Sequence, residues 1–179
     1  MQKHAGFTLV ELLITIAVMA VLAAVAVPNF MGWLPKYRVQ GAARELFTDL
    51  HLARMKAISE NNNYVITFDT SGNAYSIYDD GDDDFASAGA ESGELVKTVT
   101  VSDKYSGIAY GSIEGSGVTF SGSPKRVIFY PTGMASVSGS VYLIPTEDLS
   151  LSRTDRQRKI TVINNGRIRL YQYRSGGWE

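Results

Sequence analysis

Hydrophobic residues follow three different patterns along this chain of 179 residues. Residues 7–27 form an apolar run interrupted by one carboxylate, Glu11, and Pro28 follows the run. At about 1.5 Å per residue, a helix over this run is about 30 Å long, which is the thickness of a bilayer core. The pattern predicts a helix at residues 7–28 that crosses a membrane.

Beyond Pro28 the apolar positions recur every three or four residues, which is the spacing of a helix with one buried face. This stripe consists of Val39, Ala43, Leu46, Leu50, Ala53 and Ala57. We therefore expect one long helix from about residue 7 to about residue 60. Its second half, residues 29–60, is amphipathic and should pack against a sheet.

Residues 61–179 change to an alternation of period two, which is typical of half-buried strands. Strands are predicted at 64–68, 74–78, 95–101, 118–120, 126–130, 141–144, 159–163 and 168–173. A helix followed only by strands indicates an α+β domain in which the helix packs on an antiparallel sheet. The chain has no cysteine, so packing alone must hold this domain together.

The start of the apolar run is unlike that of a secretory signal. Residues 1–6 form a short basic leader that ends at Gly6, and the apolar run begins at once at Phe7. A secretory signal is cleaved after its apolar stretch, whereas cleavage after Gly6 keeps the apolar helix on the mature protein. The Glu11 carboxylate costs about 2.5–3.5 kcal/mol in such a helix. Either Glu11 stays hydrated near the interface, or it pairs with the N-terminal amine of Phe7 in a neighbouring subunit.

The segment Gly6-Phe7-Thr8-Leu9-Val10-Glu11, with the apolar run behind it, resembles the N-terminal signal of type IV pilins and type II secretion pseudopilins. The resemblance implies cleavage after Gly6 by the prepilin peptidase, which also methylates Phe7. It implies a single-pass protein of the bacterial inner membrane with a periplasmic domain at residues 61–179. It also implies other major and minor pilins and an inner-membrane assembly platform as partners.

Two later segments narrow the resemblance. Two segments, Val127-Ile-Phe-Tyr-Pro131-Thr-Gly133 and Ile163-Asn-Asn-Gly166-Arg167-Ile168-Arg169, resemble the FimT/GspH group of minor pilins and pseudopilins. The resemblance implies a minor subunit that helps to initiate or cap a filament.

Charge is segregated along the chain although the net charge is only −1. Between Lys56 and Lys97 there are nine acidic residues and no Lys or Arg, whereas residues 151–179 contain seven basic and two acidic residues. Such asymmetry suggests a partner for the basic end.

The basic end has a predicted geometry. The pair Asn165-Gly166 predicts a type I′ turn between the last two long strands. Arg167 and Arg169 then project from one face of a strand, about 6–7 Å apart, where each guanidinium can meet a phosphate oxygen. Arg158 and Lys159 lie on the strand that leads into the turn.

Two interpretations of this basic hairpin remain open. In FimT-like minor pilins of naturally competent bacteria the Gly-Arg-x-Arg element binds DNA, so the resemblance implies that Gly166, Arg167 and Arg169 bind double-stranded DNA, with Lys159 and Arg158 beside them. In GspH-type minor pseudopilins of a type II secretion system no nucleic-acid role is expected. The hairpin is then a solvated strand face with charges that protect a sheet edge.

No residue pattern indicates catalysis or a cofactor. The two histidines are His4 in the leader and His51 in the long helix, and neither a G-x-S-x-G motif nor a phosphate-binding glycine loop occurs. We expect no enzyme activity. Residues 79–84 with Glu91 and Glu94 offer oxygen ligands of the kind that calcium takes, but they lack the EF-hand spacing. We assign no metal site and interpret this segment as a solvated acidic loop, with calcium binding left open.

Overall fold

The computed structural model describes residues 7–82, 94–113, 115–174 and 176–179. The first element is helix α1, Leu9–Glu60, which is continuous over 52 residues as predicted. Asn61 follows it with a φ of 56°, the left-handed conformation in which helices commonly end. The segment Leu9–Ala26 has a mean hydropathy of 2.7 and is exposed throughout, so it is long and apolar enough to cross a membrane. The chain divides into two compact units, Met1–Leu34 and Pro35–Glu179.

The described part of the second unit continues from α1 with strands and two short helices. In chain order these are β1 (Asn63–Asp69), β2 (Ala74–Asp80), β3 (Leu95–Thr100), α2 (Val101–Lys104), β4 (Ile108–Tyr110), β5 (Lys125–Phe129), β6 (Gly139–Pro145), α3 (Thr146–Leu151), β7 (Arg158–Val162), β8 (Ile168–Arg174) and β9 (Gly177–Trp178).

The strands form two antiparallel sheets. The first has the order β3-β2-β1-β5 and the second has the order β4-β6-β7-β8-β9. Each sheet contains a predicted hairpin, because β1 pairs with β2 from Asn63 to Asp69 and β7 pairs with β8 from Arg158 to Val162. The α+β class with an antiparallel architecture is therefore confirmed.

One hydrophobic core joins the amphipathic half of α1 to both sheets. The six predicted stripe residues are each at most 1% exposed: Val39, Ala43, Leu46, Leu50, Ala53 and Ala57. They cluster with Ile66 and Val127 of the first sheet and with Val141 and Ile160 of the second. Burying such side chains contributes about 1.5–3 kcal/mol for each large one, so the core can hold the domain without disulfides.

A buried polar contact fixes α1 against the first sheet. Asp49 is 5% exposed, and its carboxylate accepts hydrogen bonds from the Tyr75 hydroxyl and from Lys97 Nζ at 2.7 Å. Burial, together with the Asp49 carboxylate, raises the pKa of Tyr75. The phenol therefore stays protonated and keeps donating to Asp49.

The prediction of a strand at 118–120 is wrong. Val118 forms only an isolated bridge with Val141, and Thr119 N–H donates to the Ser140 carbonyl at 2.9 Å. The segment lies beside β6, since Tyr142 N–H also donates to the Gly117 carbonyl at 2.8 Å, but it does not continue as a ladder. Periodicity also missed α3, where the buried carboxylate of Asp148 binds Arg156 in the chain that follows.

Candidate functional site

The N-terminal segment has a defined local structure around Glu11. The Glu11 backbone N–H donates to Thr8 Oγ1 at 3.2 Å, so Thr8 caps the start of α1. Glu11 lies in the first helical turn, where a carboxylate interacts favourably with the helix dipole. Phe7 is 82% exposed, and Gly6 lies outside the described residues. An amine at Phe7 and the Glu11 side chain are thus both open to a neighbouring molecule.

The turn between β7 and β8 differs from the type I′ turn that the sequence predicts. A type I′ turn needs positive φ at both central residues, but among residues 164–166 only Gly166 has one, at 76°. The loop has three residues, with Gly166 N–H donating to the Ile163 carbonyl at 2.7 Å and Ile163 N–H donating to the Arg167 carbonyl at 3.0 Å. A three-residue loop that ends in a left-handed glycine is the next most common hairpin connection.

A second turn holds this loop in place. Ala135 N–H donates to the Asn164 carbonyl at 2.8 Å, and Asn164 N–H donates to Ser138 Oγ at 3.0 Å. These bonds tie the loop to the segment that follows β5, and they favour the longer connection. Gly166 is buried by this contact, so its part in the Gly-Arg-x-Arg element is to shape the backbone and not to contact a ligand.

Arg167 and Arg169 share the outer face of the second sheet, as predicted. Both are exposed, whereas Ile168 between them is buried. Arg169 pairs with Thr161 across the β7–β8 ladder, and Lys159 pairs with Tyr171, so Lys159 lies on the same face. Arg169 Nη1 also donates to the Tyr171 hydroxyl at 3.2 Å. The structure thus brings three of the predicted basic side chains to one surface.

Aromatic rings surround Lys159 on this face. Its Nζ lies 5.4 Å from the ring centroid of Tyr142, 5.5 Å from that of Trp178 and 5.9 Å from that of Tyr171. A cation within about 6 Å of a ring is attracted to its face. Tyr173 stacks edge-on to Trp178 at 5.1 Å. The sequence prediction missed Tyr142 and Trp178, although Tyr142 alternates with buried neighbours and therefore had to point outward.

The structure corrects the assignment of Arg158. This residue is 3% exposed, and its Nη1 donates to the Gln157 carbonyl at 2.9 Å. Because neighbouring residues of a strand face opposite sides, Arg158 points inward when Lys159 points outward. Arg158 therefore does not belong to the outer basic face. Arg156 is also unavailable, since it binds Asp148 and Glu147.

The acidic segment is only partly described. The carboxylates of Asp80, Asp82 and Glu94 lie within 4.8 Å of one another. Asp83, Asp84 and Glu91, which the calcium hypothesis also involves, lie outside the described residues. Asp79 accepts hydrogen bonds from the Tyr64 hydroxyl at 3.0 Å and from Asn62 Nδ2 at 3.3 Å, so part of the segment's charge serves the fold.

Comparison with known families gives a match for the N-terminal segment and another for most of the domain that follows it. The model of the type II transport protein GspH family matches residues 42–166, which is more than half of the chain. The chain belongs to this family. The prokaryotic N-terminal methylation motif matches residues 1–27. The predicted relation to pilins and pseudopilins is therefore confirmed.

Solved structures of two such subunits share the fold of this GspH family member. The type IV minor pilin FimU of Pseudomonas aeruginosa superposes with a TM-score of 0.52 at 18% identity, over 78% of this chain and 96% of that one. The minor pseudopilin EpsH from the type 2 secretion system of Vibrio cholerae gives 0.52 at 14% identity, over 75% and 97%. At these identities the likeness concerns the fold alone.

Curated relatives are similar over a shorter stretch. The type IV major pilin protein PilA of Myxococcus xanthus is 36% identical over 62 residues, which is 35% of this chain and 28% of that protein. A fimbrial protein of Pseudomonas aeruginosa is 32% identical over 77 residues, which is 43% of this chain and 49% of that protein. The chain thus matches less than half of the length of these relatives. It is a pilin or pseudopilin by family, with a membrane-type apolar helix at its N-terminal end.

Proposed function

We propose that this GspH family member is a minor filament subunit that is cleaved after Gly6, methylated at Phe7 and anchored in the inner membrane by residues 7–28. The observation that carries the proposal is the exposed apolar segment Leu9–Ala26, whose one carboxylate lies in its first turn. An unpaired carboxylate is costly in hydrocarbon, and pairing with the amine of a neighbour's Phe7 removes that cost. The assembly platform then moves the helix from lipid into a filament core, where the subunit helps to initiate or cap the filament.

Mass spectrometry of the protein from membranes and from sheared filaments tests this proposal. We expect a chain that begins at methylated Phe7, because the leader and the apolar run meet only at Gly6. An intact leader on protein recovered from filaments would reject the proposal. The Gly6→Ala and Gly6→Leu variants provide a graded control, since a bulky side chain should block cleavage by the prepilin peptidase more strongly than a methyl group.

The basic outer face supports a second function, the binding of double-stranded DNA. Arg167, Arg169 and Lys159 lie together on one surface, and arginines on a strand reach phosphates more readily than base edges. We propose that this face holds DNA for uptake when the filament is a type IV pilus. Titration of labelled duplex DNA with the protein tests it directly.

A type II secretion pseudopilus is the alternative assembly. In that case the same processing and membrane anchoring occur, and the outer basic face has no nucleic-acid role. Deletion of the gene separates the two: loss of surface pili or of DNA uptake supports the pilus, whereas loss of an exported protein from the medium supports the secretion system.

A further inference from the structure

A small pocket lies between α1 and the strands β7 and β8. Its volume is about 200 Å³, and it is lined by Gln40 and Arg44 of α1, Arg158 of β7, Gln172 of β8 and Glu179. All of these residues belong to the unit Pro35–Glu179. Two of them carry guanidinium groups and one, Glu179, carries a carboxylate, so the lining has two positive charges and one negative side chain.

Two arginines near β7 are buried, Arg156 and Arg158, and they differ in their hydrogen-bond partners. Arg156 is fully compensated, because its Nε donates to Asp148 Oδ2 at 2.7 Å and its Nη2 donates to Glu147 Oε1 at 2.7 Å. Arg158 is buried more deeply, at 3% exposed, yet its one hydrogen bond is to the neighbouring Gln157 carbonyl. Among the described residues no carboxylate lies within 4.0 Å of the Arg158 guanidinium.

Burying a guanidinium without a counter-charge costs several kcal/mol. Burial, together with repulsion from Arg174 and Arg44, lowers the pKa of Arg158, and attraction to the Asp155 carboxylate offsets only part of this effect. Glu179 lines the pocket but forms no ion pair with Arg158 or Arg44 in the described structure. The edge of Arg158 formed by Nε and Nη2 has no described partner, and this edge has the planar shape that binds both oxygens of a carboxylate.

We propose that this pocket binds a carboxylate side chain presented by a neighbouring subunit of the filament. The inference rests on the proposed role as a filament subunit, since only assembly brings such a group to the pocket. Arg158 supplies the buried fork and Arg44 supplies a second charge at the rim, while the Gln40 and Gln172 amides offer further donors.

Titration of the full-length protein in detergent with sodium acetate tests the pocket chemistry. The signal is the side-chain Nε–H resonance of Arg158 in nuclear magnetic resonance spectra, assigned by its loss in Arg158→Lys. We expect a saturable shift with a dissociation constant on the order of millimolar, a reasonable affinity for one ion pair, at constant ionic strength against sodium chloride. The Arg44→Gln variant should weaken binding at least threefold, whereas Arg153→Gln, an exposed arginine outside the pocket, should not change it. A linear or absent response, or saturation by phosphate but not by acetate, overturns the proposal.

Incorporation of variants into filaments tests the source of the carboxylate. Arg158→Gln and Arg44→Gln should each reduce the amount of this subunit in sheared filaments at least threefold relative to Arg153→Gln. Near-ultraviolet circular dichroism checks that Arg158→Gln is folded, and Arg44→Gln keeps the test decisive if it is not, because Arg44 is exposed. If acetate binds but both variants incorporate normally, the neighbouring-subunit contact is wrong. The proposed function stands in that case, because processing at Phe7 is measured separately.

Discussion

Gly166 packs against the backbone of Gly133, and the Gly166 position has no room for a side chain. A Cβ on Gly166 would overlap the carbonyl oxygen of Gly133, and a Cβ on Gly133 would lie 3.0 Å from Ile58 Cδ1. Arg54 Nε donates to the same Gly133 carbonyl at 2.8 Å. The two turns that carry the resemblance to the FimT/GspH group are therefore one structural unit, which α1 holds through Arg54.

The Gly166→Ala variant should be strongly destabilised. Its backbone has a φ of 76°, which costs an L-residue about 1–2 kcal/mol, and the clash with Gly133 adds about 1–3 kcal/mol. Gly107→Ala is the matched control, because Gly107 has a φ of 79° but no atom lies within 4 Å of the place that its new methyl group would occupy. Denaturant unfolding of the fragment 36–179 should show a loss of about 3 kcal/mol for Gly166→Ala and of about 1–2 kcal/mol for Gly107→Ala. Equal losses in the two variants would contradict the contact.

The Glu11→Ala variant should fold normally but enter filaments poorly. Removing the carboxylate removes the partner of a neighbour's Phe7 amine, whereas the unit Pro35–Glu179 does not contain Glu11. The measurement is the ratio of this subunit in sheared filaments to that in membranes, with wild-type pilins present. Thr8→Val is the control, because it removes the hydrogen bond to Glu11 N–H and leaves the carboxylate. Normal incorporation of Glu11→Ala would leave the residue with a local role at the helix start only.

Duplex DNA should bind to the fragment 36–179 without sequence preference and with strong salt dependence. Counterion release drives phosphate contacts, so affinity should fall steeply between about 50 and 200 mM salt. Arg167→Ala and Arg169→Ala should each weaken binding, and the double variant should nearly abolish it while circular dichroism stays native. Arg153→Ala removes an exposed arginine that lies outside β7 and β8, and this control should bind as wild type does. If the wild-type fragment does not bind at low salt, or the double variant binds equally well, the secretion pseudopilus becomes the better assignment.

The Arg156→Ala variant should lose about 3–5 kcal/mol of stability, because it leaves the Asp148 carboxylate buried without its partner. Asp148 is 0% exposed, and hydrogen bonding to it raises the pKa of Arg156. Thermal unfolding is the measurement, and Arg153→Ala serves as a surface control that should change stability by less than about 0.5 kcal/mol. A small loss in Arg156→Ala would mean that α3 tolerates separation from β7.

Part of this structure can be predicted from the sequence, because the local periodicity of apolar residues determines it. The apolar run of residues 7–27 predicted the membrane-type helix, and the spacing of Val39, Leu46 and Leu50 predicted the buried face of α1. Period-two alternation located most strands and both long hairpins. These features depend on helix and strand periodicity, which a single segment expresses by itself.

Other features depended on which segments meet in space, and only the tertiary structure decided them. The turn at Gly166 is not type I′ because Asn164 bonds to the segment after β5, more than 25 residues earlier in the chain. Trp178 reaches Lys159 because β9 returns alongside β8. Arg158 and Lys159 are both basic and adjacent in sequence, yet the strand directs one toward the core and the other toward solvent. The sequence by itself determined the apolar N-terminal helix, the buried stripe of α1 and the hairpins. The packing of α1 and the two sheets determined which basic side chains reach the surface.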